Sequence, residues 1–257
     1  MSADAAPLTR RAPVFGRVGV VAGYALRACF PTRRRLGLLL PALGAVLFGL
    51  LAHVLDGPRD EALAAVAGDG LFGVVLPVGC LVIGDAVLGA EVRSGTLHFT
   101  WLSPVGFRTI VAGRWLAGFA VALAAVAAPF ALAAVVAGAA PAAPSLALAG
   151  AVGGAAYVAT FVMLGALTRR AVVWSLGAVV LGERLLGTAL SGVAQWSPSW
   201  EARAVYAKLG PGAESLVRSG IPDGWGAVVR LVVITVVALA VAAWRLGRLR
   251  LSGPSGD

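Results

Sequence analysis

Six stretches of roughly twenty residues, almost all apolar, recur along this chain at 36–55, 71–90, 115–138, 145–167, 171–192 and 227–244. A helix needs about 20 such residues to cross roughly 30 Å of hydrocarbon. A bilayer core leaves no solvent for unpaired backbone groups, so runs of this length fold as spanning helices or not at all. The first, third and fourth runs carry no Asp, Glu, Lys or Arg. The second carries Asp85 and the fifth Glu183 and Arg184. With 59% hydrophobic and 13% charged residues, the chain lies outside the soluble globular range.

The connections set an orientation by their Lys and Arg content. Arg10, Arg11, Arg17, Arg27, Arg33, Arg34 and Arg35 precede the first run, and the next connection has only Arg59 against Asp56, Asp60, Glu61 and Asp69. Arg93, Arg108 and Arg114 follow the second run, and 139–144 is uncharged. Arg169 and Arg170 come next, residues 193–226 are mixed, and Arg245, Arg248 and Arg250 close the chain. Basic and non-basic connections alternate, which predicts six spans with both termini cytoplasmic. The net charge of +9 then belongs to span ends facing anionic membrane lipids, and nucleic acid is not an expected partner.

Residues 1–35 form a basic tail. Within it, Val14, Val18, Val21 and Tyr24 or Ala25 recur at helical spacing among Arg11, Arg17 and Arg27, which predicts an interfacial amphipathic helix ended by Pro31. A loose basic tail is the alternative. A secretory leader is not expected, because one short apolar core with a small-residue cleavage site is missing. Cys29 and Cys80 are placed on the cytoplasmic side and at mid-membrane, so they are not expected to pair. His53 and His98 fall on opposite sides, and no cofactor or metal is expected. The single lysine, Lys208, excludes a phosphate-binding loop of the G-x-x-x-x-G-K-[ST] type, and no H-E-x-x-H pair occurs. Ser191-Gly192 follows Ala189-Leu190, so the glycine-flanked serine of an intramembrane protease is absent too. An intramembrane enzyme is a weaker alternative than a transport subunit.

Residues 91–108 must leave the membrane between the second and third spans. Gly95 permits a tight turn, Ser103-Pro104 reads as an N-cap and first-turn proline, and Leu97, Phe99, Trp101 and Leu102 can anchor to a membrane surface. Asp85, Glu91, Gly95-Thr96-Leu97, Leu102-Ser103-Pro104-Val105 and Arg108 together resemble the permeases of type-2 ATP-binding-cassette (ABC) transporters. The run 182–186 and Trp196-Ser197-Pro198 resemble actinobacterial members of that family, with Ser197 in place of the usual apolar residue. The resemblance covers most of the chain as architecture and 85–114 as motif. It implies an all-α fold of six transmembrane helices with an N-terminal interfacial helix. It also implies a cytoplasmic coupling helix carrying Glu91, Arg93, Gly95, Thr96, Leu97, His98, Pro104 and Arg108 that docks on a separate ABC ATPase subunit. A second permease subunit, outward movement of a hydrophobic or amphipathic solute, and a large external connection at 193–226 are implied as well.

Charges inside a span face protein or water. Glu183 and Arg184 are therefore either a structural bonding pair of positions or part of the translocation path, where Glu183 would meet a cationic group. Asp85 is expected to bond locally, to Arg93 or another arginine. Pro77 and Pro129 fall inside spans, and Gly150-x-x-x-Gly154 offers a close-packing face. Residues 245–257 form a cytoplasmic tail. A secondary transporter or channel without an ATPase is the alternative function.

Overall fold

The computed structural model describes residues 14–29, 32–89, 105–168, 170–217, 220–221 and 224–248, and among them every regular element is a helix. In chain order the longer ones are α1 (Val14–Cys29), α2 (Thr32–Val54), α3 (Arg59–Gly89), α4 (Phe107–Ala137), α5 (Ala143–Leu167), α6 (Ala171–Ala189), α7 (Pro198–Leu209) and α8 (Trp225–Arg248). Among the described residues, the six helices other than α1 and α7 are long and apolar enough to cross a membrane, as in a multi-pass membrane protein.

Two helices begin well before their apolar stretches. α3 starts at Arg59, so Asp60, Glu61 and Asp69 stand on the helix, and α4 starts at Phe107, so Arg108 and Arg114 do too. Arg230 lies inside the sixth apolar run, within α8, and is a charge that this run carries. Arg114 is buried and its Nη1 donates to the Val87 carbonyl at 2.5 Å, tying the facing ends of α3 and α4.

α5 is the centre of the bundle, packed against α3, α4, α7 and α8. Helices in lipid gain little from hiding apolar surface, so close approach through small residues does the work. On α5, Gly153 is the tightest such place. A Cβ there would lie 2.9 Å from Ala202 Cβ and 3.0 Å from Leu76 Cδ2, whereas one at Gly154 would make ordinary contact with Ala122 at 3.5 Å. The close-packing face therefore runs through Gly150 and Gly153 more than Gly154. α1 lies along the first half of α4, and a Cβ at Gly113 would sit 2.7 Å from Val21 Cβ. The expected apolar stripe of α1 continues to the packing face through Ala25, which is buried, while Tyr24 is exposed.

Both expected prolines lie inside continuous helices. Each follows a stretch of widened, π-type turns: Ala67–Val75 before Pro77 and Leu123–Ala127 before Pro129. A wider turn moves the preceding carbonyls away from the pyrrolidine ring and accommodates its missing N–H. α6 widens over Ala178–Leu186 with no proline to explain it, and this stretch carries Glu183 and Arg184.

Candidate functional site

The connection after α6 does not stay outside the bundle. The chain turns back through Ser191–Ala194 and starts α7 at Pro198, with Ser197 as the N-cap accepting from the Trp200 backbone N–H at 3.5 Å. Ser199 Oγ then donates to Glu183 Oε2 at 2.8 Å, and Ser197 and Ser199 hydroxyls are 2.9 Å apart. The Tyr157 phenol of α5 donates to the same Glu183 oxygen. At 1.5 Å per residue, Tyr157 lies about 21 Å from the start of α5 and Glu183 about 18 Å from the start of α6. α7 thus begins near the middle of two spanning helices. It then runs to the end of the bundle where Gly212, at φ +64°, abuts Asp60 and Glu61 of α3.

A second set of charges flanks this point. Asp69 Oδ1 of α3 binds Arg184 Nη1 at 3.1 Å and Arg203 Nη2 of α7 at 3.3 Å. Gly73, one turn along α3, makes this possible: a Cβ there would overlap the Arg184 guanidinium and come within 3.0 Å of Arg203 Nη2. The Arg203 guanidinium lies 4.3 Å over the Trp200 ring. Burial lowers the Arg203 pKa and the neighbouring Asp69 opposes that shift. On the other face of α7, Glu201 is completely buried, and its Oε1 meets Arg230 Nη1 of α8 at 3.4 Å. Glu201 Oε2 has no hydrogen-bond partner. Burial pushes the Glu201 carboxyl up to about 7, against the pull of Arg230. The Tyr206 phenol and Arg203 Nε are also buried without partners, and burial raises the Tyr206 pKa.

Glu183 and Arg184, singled out in the sequence, therefore do not pair with each other. They point to different partners, as neighbours on a helix do. Asp69, Tyr157, Ser197, Ser199, Glu201, Arg203 and Arg230 complete the cluster and were not among the expected site residues. Asp69 and Arg203 looked like connection charges, and the hydroxyls carried no signal of their own. Asp69 and Arg184, the pair that joins α3 and α6, both stand on stretches of wide turns, at 67–75 and 178–186.

Of the expected coupling segment, Arg108 is exposed in the first turn of α4, and Glu91, Arg93, Gly95, Thr96, Leu97, His98 and Pro104 lie outside the described residues. His53 ends α2, with Nδ1 3.4 Å from the Ala137 carbonyl. Cys80 is a buried free thiol. Among the described residues, no group of three or more His, Cys, Asp or Glu is placed to hold a metal ion. Compared with known families and curated proteins, the chain matches no family model and no curated sequence.

Proposed function

We propose that this chain is the membrane-spanning permease subunit of an ABC transporter, working in a pair and exporting a hydrophobic or amphipathic solute with ATP hydrolysed by a separate ATPase subunit. The observation that carries the reading is the side of the bundle where Asp69 and Arg184 meet. The Asp69 side chain is 80% exposed and that of Arg184 41%; Asp69 stands on α3 just before its apolar stretch, and Arg184 lies within the apolar stretch of α6. A charge inside a spanning helix, as at Arg184, faces protein or a water-filled route. A second permease subunit with a path between the two supplies both. In this reading both termini and residues 91–108 are cytoplasmic, α1 lies in the cytoplasmic interface, and α7 descends from the external side. The junction of 91–108 with α4, at the end where α1 packs, is where an ATPase would push.

The test is to purify the chain from its native membrane, ask whether an ATPase co-elutes, and measure ATP-driven transport in vesicles. Replacing Gly95, Thr96 and Leu97 with bulky acidic residues should abolish transport while the permease stays folded. Transport at the original rate in that variant would end the coupling proposal. A secondary transporter is the second reading, favoured by the clustering of Asp69, Glu183, Arg184 and Arg203 among the helices, since ion-coupled carriers group ionisable side chains there. Uptake driven by an ion gradient, with neither ATP nor an ATPase, would establish it instead.

A further inference from the structure

Beside Glu183, a cavity of 310 Å³ opens between α5, α6, α8 and the turn leading into α7. Thr160 and Met163, Gly182 and Glu183, Trp196 and Ile234 represent its four walls. Glu183 is the one charged side chain on this lining. Its Oε2 takes both hydroxyl donors, from Tyr157 and Ser199, so Oε1 receives neither of them. Arg184 is turned to Asp69 on α3, and neither it nor Arg203 lines the cavity. Trp196 is 70% exposed, which leaves its indole face open.

We propose that this cavity is a binding site for a hydrophobic ammonium, a cation carried on methyl or methylene groups, and that such amphipathic cations are the solute class this chain handles. The chemistry of the wall selects it. A carboxylate in apolar surroundings is costly until a charge of opposite sign accompanies it. A metal ion is a poor match, because hard cations require six or more oxygen donors and the wall has one carboxylate with a few hydroxyls. A quaternary or tertiary ammonium asks for one counter-charge, an aromatic face and aliphatic contact, which Glu183, Trp196 and the aliphatic side chains provide. The site takes its purpose from the permease reading, but its chemistry can be measured on this chain alone.

The experiment uses the full chain in lipid nanodiscs with benzyltrimethylammonium and its uncharged isostere neopentylbenzene, compared at equal membrane concentration. Trp196 fluorescence reports binding, isolated as the difference from a Trp196→Phe variant because the chain has 7 tryptophans. The cation should bind about tenfold more tightly than the isostere, as one partly desolvated charge pair implies. Glu183→Gln should remove that preference. Gly182→Leu keeps the carboxylate and fills the space, since a Cβ at Gly182 meets nothing within 4 Å. That variant should lose both ligands, and it carries the test if Glu183→Gln does not fold. Equal binding of the two probes would mark the cavity as a groove for lipid tails and overturn the proposal. Unchanged preference in Glu183→Gln, or full binding in Gly182→Leu, would overturn it as well. Cation binding without a co-eluting ATPase would support the site while counting against the ABC reading; the reverse result would do the opposite.

Discussion

Glu201 places a carboxyl with no exposed surface one helical turn beyond the Glu183 contacts, and its proton is linked to stability. Its folded pKa of about 7 lies above the ordinary 4.5, so the native protein holds a proton that the unfolded chain gives up. Stability is then greatest below pH 4.5, falls as the pH rises toward 7, and is flat above that. The span corresponds to about 3 kcal/mol at 1.36 kcal/mol per pH unit. Melting temperatures in detergent should therefore drop across this window, and Glu201→Gln should flatten the drop. An equal slope in the variant would assign the effect to other groups. Glu183 has its hydroxyl donors and Arg203 its aromatic ring, but Glu201 Oε2 is left unbonded. At this scale the sequence revealed little. An acid in an apolar run stands out because it is costly there, which is why Glu183 was visible. Tyr157, Ser197 and Ser199 are compatible with many surroundings and became meaningful only beside it.

Among the helices, the spanning ones were legible because hydropathy alone selects them: a bilayer demands about twenty apolar residues whatever else the helix does. Their ends were less so. Asp69 and Arg114 break the apolar runs, so both read as connection residues, although the helices continue through them. α7 was hidden for a related reason. Its sequence holds Glu201, Arg203 and Lys208, and only partners supplied by α3 and α8 make burial of the first two possible. Its seat is the small surface at Gly153. Gly153→Val should overlap Ala202 and Leu76, push α7 outward and cost about 1–3 kcal/mol. Gly154→Ala should be close to neutral in the same melting experiment, because its Cβ would find ordinary contact. Equal costs at the two positions would mean that α7 is not held by this approach.

For the molecule as a whole, burial is uneven. α3 and α5 are largely enclosed, while α2, α6 and α8 leave most of their surface open. Lipid can cover the apolar part of that surface, including Leu181, Leu185, Val233 and Val237. Asp69 and Arg184 are its charged part. If that face borders a water-filled route, Asp69→Cys in a Cys29→Ser background should react with a membrane-impermeant maleimide in intact cells, while the buried Cys80 should not. A folded Asp69→Cys protein that resists the reagent would show a dry face, and the aqueous route would fail. The position of α7 also bears on how the chain is made. A segment with three charges in twelve residues cannot partition into a bilayer unaided as it emerges from the ribosome. Its Glu201 meets Arg230 on α8, which is synthesised after α7. The seat of α7 is therefore complete only once α8 stands beside α3 and α5.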